Sequence, residues 1–172
     1  MSSSTDVIDL ASTDSTLRSE LLQQPEGCRL TACMTCRTCS CGCPITEVDN
    51  RFDPARIIRM ATYGLREEIL AGDVLWLCSG CYTCQERCPQ GVRVTDLIML
   101  LKNMAVQAGH VPPGIRAQKE LVTRKGRIYP LDDFDNKKRD KIGLPPLPTS
   151  CDSVKVLFLR PPGEPKPADP VP

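Results

Sequence analysis

Two runs of cysteine carry the chemistry this chain is equipped for. Cys33, Cys36, Cys39 and Cys43 are followed by Pro44, and Cys78, Cys81, Cys84 and Cys88 are followed by Pro89, so the spacing Cys-x2-Cys-x2-Cys-x3-Cys-Pro occurs twice. The short x2 loops turn three sulfurs and the local amides toward one centre, which suits three corners of an iron–sulfur cube. The fourth corner needs a thiolate from elsewhere. In runs of this spacing the cysteine before proline ligates the other cluster. That pairing gives one [4Fe-4S] cluster to Cys33, Cys36, Cys39 and Cys88, and a second to Cys43, Cys78, Cys81 and Cys84. The proline after each exchanged cysteine fixes φ and has no N–H, so the chain turns away without leaving a buried donor unpaired.

Other uses of the thiols fit less well. Two zinc sites would also take eight thiolates, but zinc normally uses Cys-x2-Cys pairs split by a longer loop. Eleven cysteines are an odd total, which suits a fully paired disulfide framework poorly. Cys41 lies between Cys39 and Cys43 and competes for a cluster, although only Cys43 keeps the x3 spacing and the following proline. Cys28 and Cys151 have no partner spacing and read as unligated thiols. Arg37, Thr38, Ser79, Tyr82 and Thr83 lie inside the ligand loops, where their side chains are placed to donate to cluster sulfurs. No nucleophile–base constellation or glycine-rich phosphate loop is recognisable, and His110, the only histidine, reads as a loop residue.

The elements that must hold these loops read as mainly α. The length of 172 residues suits one domain of ordinary size, and with one Trp, three Tyr and three Phe, metal has to help organise it. Residues 1–27 read as a flexible N-terminal arm, with an apolar patch at Val7, Ile8 and Leu10 and a weak helix from Thr16 to Gln24. Residues 28–141 form the helical domain. Asp53 and Pro54 are a good N-cap and first position for a helix reaching Ala71, and Asp73 caps a short turn from Val74 to Leu77. Thr95 caps a helix through Ala108, and Pro113 opens another that Gly126 ends. Lys137, Lys138 and Arg139, beside Asp132, Asp133 and Asp135, read as a solvated loop. Residues 142–172 form a Pro-rich interaction tail, with one apolar stretch from Val154 to Leu159.

The net charge of +1 gives no general pull toward nucleic acid. The first residues carry no secretory signal or anchor, and no apolar run approaches the ~20 residues that cross a bilayer. The expectation is a cytoplasmic protein with no direct membrane insertion.

Two such motifs separated by a helical insert resemble the α-helical ferredoxin domain. More closely, the chain resembles the family of small two-cluster C subunits of heterodisulfide reductase. The resemblance covers residues 28–141 and rests on CysMetThrCysArgThrCysSerCysGlyCysPro, AspProAlaArgIleIleArgMetAla and CysSerGlyCysTyrThrCysGlnGluArgCysPro. It implies an electron-transfer protein that relays single electrons through two [4Fe-4S] clusters. Its partners are then a flavin-bearing protein like the A subunit and a catalytic protein like the B subunit of such a complex. The catalytic partner in that family has adjacent Cys-Cys pairs, and this chain has none, so it is expected to make and break no substrate bond. Alternatives on the same domain are a free ferredoxin-like carrier, or the iron–sulfur protein of a quinone-linked or sulfur-oxidising complex.

Overall fold

In the computed structural model, which describes residues 13–27, 29–151, 153 and 154, every regular element is helical. The patch at Val7, Ile8 and Leu10, Cys28, and residues 155–159 of the apolar tail stretch lie outside the described residues. The chain divides into two units, the first up to Val111 and the second from Pro112.

The first unit opens with α1 (Ser15–Leu22), where the Asp14 carboxylate accepts the Thr16 amide at 2.8 Å. The expected weak helix is therefore present, and Leu17 and Leu21 on it are fully buried. A 3-10 turn (Leu30–Ala32) leads into the first motif, which contains α2 (Thr38–Cys41) and runs into α3 (Pro44–Val48). Next comes α4 (Pro54–Tyr63), where Asp53 accepts the Arg56 amide and Pro54 occupies the first turn, as expected.

The helix expected to reach Ala71 stops at Gly64. That residue takes a left-handed conformation (φ 77°), the Leu65 amide reaches back to the Met60 carbonyl at 3.0 Å, and a new helix, α5 (Arg66–Leu70), begins. The apolar spacing continues across the break because Ile69 and Leu70 enter the same core as Ile57 and Ile58. A 3-10 turn (Val74–Leu77) delivers the second motif as expected, although the Asp73 side chain makes no capping bond. The second motif contains α6 (Thr83–Glu86).

The last helix of this unit, α7 (Val94–Gln107), corrects a second expectation. Thr95 is not its cap but lies inside its first turn, 1 % exposed, with its hydroxyl on the Cys84 sulfur. Helix α4 packs against α1, α2, α5 and α7, and α2 packs against α6. The core they share is aliphatic. Phe52 is the one buried aromatic among the described residues, beside Ile58, Leu97, Ile98 and Leu101, each of which contributes about 1.5–3 kcal/mol when buried. Cys39 and Cys84 belong to the same core, so the ligand loops are fastened to it directly.

In the second unit, α8 (Pro113–Lys125) ends at left-handed Gly126, as expected. Lys137, Lys138 and Arg139 are helical rather than looped, within α9 (Asp133–Lys141). Asp132 and Asp135 build a reciprocal capping box, and Lys138 and Arg139 fall in the last turn, where the helix dipole favours cations. The Asn136 side chain then holds Leu147 through two 2.9 Å bonds.

Candidate metal centre

The two cysteine motifs fold alike, residue for residue. Each follows a 3-10 turn containing a buried leucine, Leu30 or Leu75. Cys33 and Cys78 then take nearly the same backbone conformation, φ −64°, ψ 114° and φ −61°, ψ 120°. Left-handed residues follow at matching places, Thr35 with Gly80 and Arg37 with Tyr82. Thr35, Arg37 and Tyr82 are the only non-glycine residues with positive φ among the described residues, and all three lie in x2 loops. Each such conformation costs on the order of 1–3 kcal/mol and persists only where its surroundings demand it. Here the left-handed residues turn the chain sharply between the cysteines of each motif.

Two pairs of thiols contrast, and Cys33, Cys43, Cys78 and Cys88 lie between them in exposure. Cys36 and Cys81 are exposed, and the Thr38 and Thr83 hydroxyls lie 3.3 Å and 3.5 Å from their sulfurs. Hydrogen bonding with those threonines holds both thiols below their ordinary value. Cys39 and Cys84 are buried. Burial pushes the Cys39 thiol up to about 11 and also pushes Cys84 up, against the opposing bonds from Ser40 and Thr95. A thiolate at either buried place needs a cation beside it, and the iron of a cluster supplies one.

The structure brings the two motifs together. Cys33, Cys36 and Cys39 line one pocket with Cys88 of the second motif. Cys84 lies within electrostatic reach of Cys78, of Cys81 and of Cys43 from the first motif, while Cys39 feels Cys84 and Cys33. Cys41 is exposed on α2, and Cys151 lies in the second unit. Among the described residues no three His, Cys, Asp or Glu side chains converge on a single ion.

A second layer fixes the loops. The Ser40 hydroxyl donates to Asp53 and accepts the Ala55 amide at 3.1 Å, and Arg37 reaches Asp53 at 2.6 Å. Arg37 is therefore committed to a carboxylate rather than to a cluster sulfur. The second motif repeats the arrangement, with Gln85 bonded to Asp96 at 2.9 Å and Arg93 to the same carboxylate at 2.8 Å. In both, the residue after the third cysteine is tied to an acid at the start of a long helix. A Cβ at Gly42 would collide with the Arg87 guanidinium, so the neighbour of Cys88 lies across the neighbour of Cys43.

Beside the second motif, Lys102 donates to the Cys78 carbonyl at 3.1 Å and sits 5.8 Å from the centre of the Trp76 ring. Burial pushes the Lys102 ammonium down and Cys78 pushes it back. The Trp76 indole N–H, two residues before Cys78, is buried without an acceptor among the described residues. Buried donors are seldom left unpaired, and cluster sulfurs are acceptors of the kind it lacks. The donor set, the matched conformations of the two loops and this orphaned N–H fit iron–sulfur clusters. Sequence reasoning gives Thr95 only a capping role and passes over Ser40, which lies inside the first motif, and Lys102, which lies outside both.

Comparison with known proteins agrees with this geometry. Residues 29–92 match the 4Fe-4S dicluster domain family. The chain is 43% identical over 122 residues to the C subunit of the ferredoxin:CoB-CoM heterodisulfide reductase of Methanosarcina mazei, covering 71% of this chain and 74% of the relative. It is 42% identical over 127 residues to the C subunit of the ferredoxin/F(420)H(2)-dependent CoB-CoM heterodisulfide reductase of Methanosarcina acetivorans, covering 74% and 78%. To the C subunit of the H(2):CoB-CoM heterodisulfide,ferredoxin reductase of Methanothermobacter thermautotrophicus it is 38% identical over 133 residues, covering 76% and 70%. Two [4Fe-4S] clusters are its cofactors, and the chain belongs to the family of iron–sulfur C subunits of heterodisulfide reductase.

Proposed function

We propose that the chain relays single electrons between a flavin-bearing partner like the A subunit and a catalytic partner like the B subunit of heterodisulfide reductase. In this reading Cys33, Cys36, Cys39 and Cys88 hold one cluster, and Cys43, Cys78, Cys81 and Cys84 hold the other. Each bound cluster passes one electron at a time, whereas reducing a disulfide takes two. The protein's own residues supply position and insulation. The observation that carries the reading is the contact of α2 with α6, which sets buried Cys39 in the field of buried Cys84. Electrons crossing the chain then pass between two centres joined by packed protein. The names of the relatives place ferredoxin, and in one case hydrogen, beside the CoB-CoM heterodisulfide in their reactions. A chain with this equipment fits the link between such a donor side and a disulfide site.

The test is anaerobic purification from the native source, with metal analysis and mass spectrometry of whatever accompanies the chain. About eight iron and eight acid-labile sulfides per chain are expected, together with a flavoprotein and a protein carrying adjacent Cys-Cys pairs. Two zinc ions without sulfide would overturn the cofactor assignment. A cluster-loaded chain isolated without partners would overturn the relay.

A further inference from the structure

Lys102 is a half-buried cation beside the second cysteine motif that no carboxylate neutralises. Its ammonium is fixed between the Cys78 carbonyl, at 3.1 Å, and the Trp76 ring, at 5.8 Å, and it joins none of the ion pairs among the described residues. The other cations near the motifs are spent or screened. Arg37 is paired with Asp53 at 2.6 Å, and Arg93 with Asp96 at 2.8 Å. Arg29 reaches the Gln90 carbonyl at 3.2 Å, just past Cys88, and the Arg87 guanidinium lies against Gly42, but both residues are exposed to solvent that screens their charge. An unpaired positive charge partly shielded from solvent therefore falls on one motif only.

Every one-electron reduction adds a negative charge to a cube and its thiolates. A fixed cation nearby favours the more negative state, and does so more strongly where protein replaces water around it. We infer that Lys102 raises the reduction potential of the cluster held through Cys78, so that an electron shared by the two centres rests on that side of the α2–α6 contact. The inference rests on the ligand set proposed above. Trp76 contributes by covering the ammonium and confining it, since a cation over an indole face is held there by the ring's quadrupole.

Potentiometric titration of the anaerobically purified, cluster-loaded protein, followed by electron paramagnetic resonance, tests this with Lys102→Met and Lys102→Arg. In Lys102→Met the reduction equilibrium of the Cys78-side cluster is expected to weaken about tenfold, which is 59 mV for a one-electron couple, while the other cluster stays put. Lys102→Arg keeps the charge and is expected to recover most of the shift. Unmoved potentials in Lys102→Met overturn the inference. So does a Lys102→Arg protein that falls as far as Lys102→Met, because that outcome marks a packing role. Iron and sulfide are counted in each variant, and Lys102→Gln takes the place of Lys102→Met if the latter loses iron. Cys78→Ser identifies the signal to follow. Both signals intact in Cys78→Ser would defeat the ligand set, whereas a disturbed signal there with unmoved potentials in Lys102→Met defeats the inference alone.

Discussion

The Thr95 hydroxyl lies 3.2 Å from the Cys84 sulfur, buried in the first turn of α7. With iron on that sulfur, the hydroxyl is left as the donor. Thr95→Val keeps the shape and removes the bond. Iron content should stay full while the cluster held through Cys84 becomes harder to reduce, by roughly 40 mV for a bond of about 1 kcal/mol. Thr95→Ser should restore the potential. Redox titration of the three proteins decides it, and identical potentials would show that the contact is only packing.

The proposed exchange of the pre-proline cysteines predicts a crossed pattern of damage. Cys43→Ala should disturb the cluster of the second motif, and Cys88→Ala the cluster of the first. Spectra with each cluster assigned separately would show the reverse pattern if each motif kept its own fourth cysteine.

Asp53 ties the first motif to the core. Burial raises its carboxyl, but bonds from Ser40, the Arg56 amide and Arg37 outweigh that and leave it below the usual carboxylate range. Asp53→Ala removes the α4 cap and strands the Ser40 hydroxyl, so anaerobic denaturant unfolding should show a loss of about 2 kcal/mol. Asp53→Asn retains a cap and should recover part of it.

Asp14 makes α1 sensitive to acid. Hydrogen bonds from Thr16 and Arg66 bring its carboxyl down to about 2, from an ordinary 3.8. Because the folded value is the lower one, protons favour the unfolded chain. The stabilisation is complete above about pH 4 and is lost as pH falls through about 2. Hydrogen exchange at the Leu17 amide, which bonds to the Asp14 carbonyl at 3.3 Å, should lose protection across that window. Asp14→Asn should show lower protection without that step, and it corrects for any effect of acid on the clusters themselves.

The cysteine spacing made the cofactor legible in the sequence, along with the helical class, because iron–sulfur loops leave little freedom in where sulfur must fall. Helix starts that rest on local chemistry were legible too, as at Asp53–Pro54. The break at Gly64 was not, since α4 and α5 feed one core and keep one apolar rhythm. Thr95 carries a good capping side chain, and only the folded chain shows that Cys84 takes it instead. Lys102 could not be read at all. Its meaning depends on meeting Cys78 and Trp76 from a different helix, and no local pattern encodes that meeting.

Cys88 stands in one pocket with Cys33, Cys36 and Cys39, and this has a consequence for how the protein is made. A ribosome releases the chain from its N-terminus, so the first three sulfurs emerge well before the wall that Cys88 completes. Until then the early loops are open to air, to stray metals and to one another. With the proposed ligand set, a four-sulfur cradle for the first cluster is complete only once the second motif clears the exit tunnel. A nascent chain stalled before residue 88 would offer the assembly machinery an incomplete cradle, whereas one released past Val94 presents both at once.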